Sequence, residues 1–205
     1  MIEKNTAPQT PPMLALMGSP RRNGNTAALL ANVLGAASEA GAASETVVLR
    51  DLKVSPCLEI YQCKRDGTCA IRDDMTPLYD KLASARVVIL ASPIFFYGPS
   101  AQAKIIIDRC QALWSRKYIL GEKADRPRGR GVLVSVGATG GKKLFDGLLL
   151  TARYFFDVLN LDFSQSLLVR KVDLAGEVEN HPEVMAEARR LGADLAAFIL
   201  TENPE

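Results

Sequence analysis

The stretch that decides the fold is residues 13–26, MLALMGSPRRNGNT, near the start of the 205-residue chain. Its five apolar residues, Met13–Met17, predict a buried strand that ends in a Gly-Ser-Pro turn. The sequence that follows is rich in Ala and Leu and reaches Gly41, which predicts a helix over Ala27–Ala40 with a glycine stop. A strand, a polar loop and a helix in this order form the repeating unit of an α/β sheet.

The same unit recurs along the rest of the chain. Further strands are predicted over Thr46–Leu49, Val87–Ala91, Val132–Val136 and Ser164–Val169, and helices over about Met75–Ser84, Ser100–Ser115, Lys143–Leu159 and Pro182–Leu200. This alternation predicts an α/β fold, a parallel sheet with helices on both faces. Five strands with right-handed crossovers favour the flavodoxin-like doubly wound order 2-1-3-4-5. In that order the loops after strands 1 and 3 meet, and ligands of open α/β sheets bind there.

Composition and charge narrow the class of protein. A chain with 48% hydrophobic and 23% charged residues is globular, and a net charge of +2 is far from that of a dedicated nucleic-acid binder. Residues 1–12, MIEKNTAPQTPP, have little to bury, so we expect a mobile arm followed by one domain over 13–205. No charged-then-apolar leader and no apolar run of about 18–20 residues is present. We therefore expect a soluble, cytoplasmic protein without a membrane or nucleic-acid partner.

The loop over residues 18–26 has the residue types that bind an anion. Free amides at a helix N-terminus are joined by the hydroxyls of Ser19 and Thr26, the amide of Asn25 and the guanidinium of Arg21. The expected guest is a phosphate monoester, and the alternative is a plain turn with a helix cap. Neither GxGxxG after the first strand nor GxxxxGK[ST] anywhere is found, which argues against the dinucleotide and triphosphate loops.

An aromatic loop, residues 92–99 with the sequence SPIFFYGP, follows the third strand. Pro93 fixes the backbone and Gly98 permits unusual backbone angles, while Ile94, Phe95 and Phe96 can form a flat apolar wall. A planar ring system would fit against this wall. The alternative is that the aromatic side chains only cover the edge of the sheet.

A glycine-rich turn, residues 137–141 with the sequence GATGG, follows the fourth strand. It is nearly free of side chains, so its backbone at Thr139 and Gly140 can approach a planar ligand closely. A phosphate cradle, an apolar wall and an open backbone at one sheet edge together describe a site for flavin mononucleotide (FMN).

Three segments also resemble those of a known family. GSPRRNGNT, SPIFFYGPSAQAKIIIDR and the GATGG turn are similar to the NAD(P)H-dependent FMN reductase and iron-sulfur flavoprotein branch of the flavodoxin-like superfamily, over roughly residues 13–170. The resemblance implies a homodimer or homotetramer that takes hydride from NADH or NADPH and reduces a flavin, a quinone or another small-molecule acceptor. Carried over by position, it implies that the FMN phosphate is held by Ser19, Arg21, Asn25 and Thr26, and that the ring is lined by Pro93, Ile94, Phe95, Phe96 and Gly98.

The same branch often carries four cysteines spaced C-x2-C-x2-C-x5-C, some members ligating a [4Fe–4S] cluster. This chain has Cys57, Cys63 and Cys69, with Ile60 at the second position. Because isoleucine cannot ligate iron, we expect no [4Fe–4S] cluster and no other metal. Cys110 is expected to be a buried core thiol. A three-iron cluster, an external fourth ligand, an incomplete zinc site and redox-active thiols stay open as alternatives to structural remnants, which we favour.

The remaining polar features do not form a catalytic group. His181, the single histidine, precedes the last helix, and the sequence suggests no Ser/His/Asp or Cys/His group around it. Flavin chemistry needs no catalytic residue, because the cofactor accepts hydride at its own ring. A basic connection, residues 117–130, carries Arg126 and Arg128, and one hypothesis is that it recruits the phosphates of NADPH.

A non-enzymatic carrier, a flavodoxin proper, is the competing function, and an FMN-binding sensor without turnover is a third. Flavodoxins are typically acidic, whereas this sequence has a pI of about 8.3.

The last helix carries apolar and small residues at three- and four-residue spacing, which predicts a core-facing stripe. These residues are Met185, Ala188, Gly192, Leu195 and Ile199.

Overall fold

The computed structural model describes residues 12–201. The predicted mobile arm, residues 1–12, therefore lies outside the described residues except for Pro12. That residue is anchored, because its carbonyl accepts hydrogen bonds of 2.9 Å from the N–H groups of both Arg86 and Val87. For Pro12 the expectation of a mobile arm is wrong.

Five parallel strands form one sheet in the order β2-β1-β3-β4-β5, as predicted. The strands are β1 (Met13–Met17), β2 (Ser44–Val48), β3 (Val87–Ala91), β4 (Gly129–Gly137) and β5 (Leu161–Arg170). Every residue of β1 and β3 is buried, because both strands lie inside the sheet and helices cover both faces. The predicted bounds of these two strands are confirmed to the residue.

Residues 12–201 contain seven α-helices. They are α1 (Asn25–Glu39), α2 (Cys63–Asp66), α3 (Thr76–Ser84), α4 (Ala101–Arg109), α5 (Gln111–Tyr118), α6 (Asp146–Val158) and α7 (Pro182–Thr201). Alternate residues of β1 point to opposite faces: Leu14 joins the core under α3–α6, and Ala15 joins the core under α1 and α7. No helix within residues 12–201 combines the length and the apolar character needed to span a membrane.

The helix predicted over Ser100–Ser115 is broken at Cys110 into α4 and α5. Its start is as expected, since the Ser100 hydroxyl accepts a 3.2 Å hydrogen bond from the N–H of Ala103. At the break, the carbonyl of Arg109 accepts a hydrogen bond of 3.0 Å from the Tyr79 hydroxyl. Because the Arg109 carbonyl already accepts from Tyr79 of α3, it does not require the N–H four residues ahead. The helical hydrogen-bond ladder can therefore be interrupted there.

Candidate functional site

The loops after β1 and β3 are joined at the switch point of the sheet. The N–H of Gly18 donates to the carbonyl of Ala91 at 2.7 Å, and the Ser100 hydroxyl donates to the carbonyl of Gly18. A Cβ on Gly18 would lie 2.9 Å from the Cβ of Ala103. This glycine is therefore required by packing, since a side chain there would clash with α4.

The N-terminus of α1 provides amide donors for an anion. Gly24 is the N-cap residue, no side chain accepts from the first turn, and that turn contains no acidic residue. Ser19 and Thr26 are buried beside it. Uncapped amides with the positive end of a helix dipole favour a negative group, and a phosphate would meet that need.

Asn25 makes two hydrogen bonds to the segment after β5. Its Nδ2 donates to the carbonyl of Leu174 at 2.8 Å, and its Oδ1 accepts from the N–H of Val178 at 3.2 Å. Arg21 also reaches the same segment, donating from Nη1 to the carbonyl of Asp173 at 2.9 Å. Asn25 thus fixes the loop after β5 against the loop after β1, with one amide N–H left for a ligand.

The aromatic loop turns at Phe96 and Tyr97 rather than at Gly98. Phe96 and Tyr97 have φ angles of 48° and 64°, whereas Gly98 is not in the left-handed region. Phe95 and Gly98 exchange two backbone hydrogen bonds of 2.9 Å, which closes a two-residue hairpin turn. The expectation that Gly98 supplies unusual backbone is wrong, and two bulky residues occupy that conformation instead.

The glycine-rich turn divides into two parts. A Cβ on Gly137 would lie 2.6 Å from Leu144 Cδ2 and 2.9 Å from Ile94 Cγ2, so this glycine lets the turn pack beside the aromatic loop. A Cβ on Gly140 would instead lie 2.9 Å from Lys171 Cε. The aliphatic part of the exposed Lys171 side chain therefore lies beside Gly140.

One cavity of about 200 Å³ lies where these loops meet. It is lined by seven of the predicted residues, namely Ser19, Arg21, Asn25, Thr26, Pro93, Ile94 and Phe95. The structure places Phe96, Gly98, Thr139 and Gly140 outside this lining. Sequence reasoning missed Val172 and Asp173, which also line the cavity. The sequence signal that could have found them is their position just after β5, because β5 lies beside β4 in the sheet.

The profile of the NADPH-dependent FMN reductase family matches residues 11–162. That span is most of the chain. The protein belongs to this family.

Named relatives support membership of the FMN reductase family. The chain is 35% identical over 131 residues to an iron-sulfur flavoprotein of Methanocaldococcus jannaschii, covering 64% of this chain and 65% of that protein. It is 34% identical over 151 residues to an iron-sulfur flavoprotein of Archaeoglobus fulgidus, covering 72% of each. The chain thus spans about two thirds of the length of these relatives.

A solved structure agrees with the fold of the family. An NAD(P)H:quinone oxidoreductase from Methanothermobacter marburgensis superposes with a TM-score of 0.68, covering 91% of this chain and all of that one, at 16% identity. At that identity the likeness concerns the fold.

The cysteine segment, residues 57–69, is not arranged as a metal site within the described residues. Cys57, Cys63 and Cys69 are half-buried, and residues 12–201 contain no group of three or more His, Cys, Asp or Glu side chains placed to hold a metal. The absence of a [4Fe–4S] cluster stays a prediction. Cys110 is confirmed as a core thiol: burial raises its pKa to about 12, so it stays protonated at neutral pH.

The basic connection lies at the other end of the sheet. Arg126 and Arg128 directly precede Gly129, the first residue of β4, whereas the cavity is at Gly137, the last, roughly 26 Å along the strand. Arg126 donates to the carbonyls of Ala83 and Leu159, and Arg128 donates to Asp162 at 2.6 Å. The hypothesis that these arginines recruit NADPH finds no support within this chain.

Proposed function

We propose that this protein is an FMN-dependent oxidoreductase that takes hydride from NADH or NADPH and passes the electrons to a small-molecule acceptor such as a flavin or a quinone. The observation that carries the proposal is the uncapped N-terminus of α1, which opens into the same cavity as the aromatic loop. A phosphate site beside an apolar wall is the pattern that a mononucleotide requires.

The donor set suits the FMN phosphate. The amides of the first turn of α1, the hydroxyls of Ser19 and Thr26, and the guanidinium of Arg21 would hold it. Charge-assisted hydrogen bonds from a guanidinium to phosphate are strong and directional. Asn25 would act mainly by fixing the loop after β5, so that Val172 and Asp173 form the far wall.

The ring would lie at the mouth of the cavity. A volume of about 200 Å³ is below the 300–1,000 Å³ typical of small-molecule pockets, so the enclosed part suits the phosphate and the chain. Pro93, Ile94 and Phe95 would then support the ring, and Phe96, Gly98, Thr139 and Gly140 remain its predicted outer contacts. When bound, FMN supplies hydride acceptance at its own ring, which leaves binding and orientation to the chain.

Assembly and location complete the proposal. We propose a homodimer or homotetramer, as the family resemblance implies, and a cytoplasmic location. Light scattering coupled to size-exclusion chromatography of the FMN-loaded protein measures the assembly, and a monomeric mass would contradict it.

The decisive experiment follows the flavin by absorption. Purified protein loaded with FMN should show a bound-flavin spectrum, bleach on anaerobic addition of NADH or NADPH, and turn over many times when menadione is added. A flavodoxin-type carrier would bind FMN yet fail to oxidise either coenzyme directly, and a sensor would show no turnover. A protein that does not take up FMN would refute the proposal.

A matched pair of arginines tests the phosphate site. Arg21 lines the cavity, whereas its neighbour Arg22 pairs with Asp51 at 2.6 Å outside it. Arg21→Ala should raise the Kd for FMN by about tenfold, since a hydrogen bond to a charged group contributes about 1.5–3 kcal/mol. Arg22→Ala should change that Kd less than about twofold. Riboflavin lacks the phosphate, so an equal loss of riboflavin binding in Arg21→Ala would contradict the assignment.

A further inference from the structure

The outer side of α6 carries two exposed apolar side chains. Leu150 is 58% exposed and Tyr154 is 66% exposed, whereas Leu148, Ala152 and Phe155 on the opposite side of the helix are buried. Residues three or four positions apart lie on one side of a helix, so Leu150 and Tyr154 belong to one surface. We define the α6 face as its five exposed residues, namely Asp146, Gly147, Leu150, Arg153 and Tyr154.

The apolar surface continues on both flanks of the α6 face. A groove of about 440 Å³ separates α6 from α4 and α5, and its lining includes Tyr154 and the exposed side chains of Trp114 and Tyr118. At the start of α6, a Cβ on Gly147 would lie 2.7 Å from the carbonyl oxygen of Tyr97, so the exposed aromatic loop borders the same face. A continuous exposed apolar surface with polar residues at its margin is typical of a protein–protein contact.

Two charged groups of the α6 face have no partner among residues 12–201. The side chains of Asp146 and Arg153 form neither a hydrogen bond nor an ion pair there. Asp157, one turn beyond Arg153, is by contrast paired with Lys117 at 3.0 Å and with Arg128 at 3.4 Å. Seven residues of helix separate Asp146 from Arg153 by about 10 Å along the axis, and the two do not pair with each other. The face therefore offers one acid and one base to a partner with the same spacing.

The α6 face is complementary to itself. Asp146 lies four residues before Leu150, and Arg153 lies three residues after it. If two copies of α6 run antiparallel about a twofold axis beside Leu150, each Asp146 meets Arg153 of the partner subunit and the two leucines meet at the centre. A parallel arrangement would instead bring like charges to the same level, where they repel.

A second pair of residues fits the same antiparallel register. Gly147 and Tyr154 are also seven residues apart, and they lie on the other side of Leu150 from the two charges. The register thus places each tyrosine ring over a residue that has no side chain. Charge, apolar area and shape agree on one arrangement, because each residue and its counterpart lie at nearly equal distances from the axis.

We propose that the α6 face binds the α6 face of a second copy of this chain, antiparallel, with Asp146 paired to Arg153 of the partner subunit. This inference rests on the assembly in the proposed function and names the surface that forms it. The charge pairs would set the register, and burial of Leu150 and Tyr154 would supply the affinity. The contact would lie beside the aromatic loop of the candidate FMN site.

Charge reversal tests the pairing. Light scattering of the FMN-loaded protein should give at least twice the chain mass of 22.2 kDa. Asp146→Arg and Arg153→Asp each oppose like charges across the axis, so each should halve that mass or raise the Kd of the contact at least about tenfold. The double variant D146R/R153D should restore the mass, because it exchanges the two charges. Unchanged masses in the single variants, or no restoration in the double variant, would overturn the inference.

A matched variant and a cross-link control for indirect effects. Asp80 is an exposed acid of α3, and Asp80→Arg should leave the mass unchanged; an equal loss there would contradict the pairing. Leu150→Cys should give a covalent dimer on mild oxidation with diamide, because the two residues meet at the axis. Leu200→Cys, at an exposed leucine of α7, should not. Absence of the Leu150→Cys dimer would overturn the inference, even where a charge variant fails to fold.

The interface and the flavin chemistry fail separately. A protein that takes up no FMN would refute the proposed oxidoreductase function, while the masses and cross-links of the purified chain would still test the α6 face. A protein that binds and turns over FMN as a monomer would overturn this inference and the proposed assembly, and leave the flavin chemistry standing.

Discussion

At the scale of single residues, a buried ion pair joins Arg109 to Asp73. The guanidinium is fully buried and donates to Asp73 Oδ2 at 2.6 Å, to the carbonyl of Ser55 at 2.8 Å and to that of Ile71 at 3.2 Å. One side chain of α4 therefore holds both ends of the cysteine segment. The IIIDR sequence places this arginine at the end of a helix, but nothing local to it indicates a partner 36 residues earlier.

Asp73→Asn should lower the free energy of unfolding by about 3–5 kcal/mol, because it leaves a buried guanidinium without its counter-charge. Chemical denaturation at pH 7 measures this loss. The exposed pair Lys104–Asp108 provides the control, since Asp108→Asn should cost less than about 1 kcal/mol. Equal losses in the two variants would contradict the reasoning.

The same pair makes stability depend on pH. Burial opposes ionisation of Asp73, but hydrogen bonds from Arg109 and from the N–H groups of Ser55 and Met75 outweigh it and lower the pKa. The stabilisation is therefore complete above the unfolded-state pKa of about 3.9 and is lost as the pH falls through the lower folded-state pKa. The difference in stability between the unaltered protein and Asp73→Asn should shrink below about pH 4. A difference independent of pH would contradict the assignment.

At the scale of elements, the hairpin turn of the aromatic loop is strained. Its two central residues, Phe96 and Tyr97, have positive φ, for which Asn-Gly is the preferred pair. The absence of a side chain at Gly147 makes room for the turn, since a Cβ there would lie 2.7 Å from the carbonyl oxygen of Tyr97. Strain held in place by a neighbouring helix is a feature of ligand sites.

The double variant F96N/Y97G should raise the free energy of unfolding by about 1–3 kcal/mol, because each residue costs of order 1–3 kcal/mol in this conformation. It should also weaken FMN binding, since it removes a predicted ring contact. Denaturation and FMN titration measure the two effects. Gly98→Ala is the control and should change stability little, because its Cβ would meet only the carbonyl of Phe95 at 3.7 Å. A variant with unchanged stability would show that the turn is not strained.

At the scale of the whole molecule, α1 and α7 pack together on one face of the sheet, and the predicted stripe of α7 lies at their contact. Ala188, Gly192, Leu195 and Ile199 are buried, as expected, and Met185 packs at the margin. A Cβ on Gly192 would lie 2.0 Å from the carbonyl oxygen of Val33. The helix axes can approach only because this residue has no side chain.

Two helical glycines should respond in opposite directions. Gly192→Ala should lower the free energy of unfolding by about 1–3 kcal/mol, as overpacking separates the helices. Gly35 in α1 has nothing within 4 Å of a Cβ, so Gly35→Ala should raise it by about 0.5–1 kcal/mol through helix propensity alone. Thermal and chemical unfolding measure both. A stabilising Gly192→Ala would disprove the close approach of the helices.

The features of this protein that the sequence determined by itself come from periodic or local patterns. Alternating apolar strands and helices fixed the strand order, and the loops of residues 18–26 and 92–99 identified the cavity, because the carboxyl ends of parallel strands meet at one edge. Only the tertiary structure decided which partner each polar group finds. It turned Asn25 toward Leu174 and Val178, and laid the aliphatic part of Lys171 beside Gly140. It also placed Arg126 and Arg128 at the opposite end of β4 from the cavity. The physical reason is that hydrogen bonds and packing contacts join residues far apart in the chain, whereas periodicity and turn chemistry act over a few neighbours.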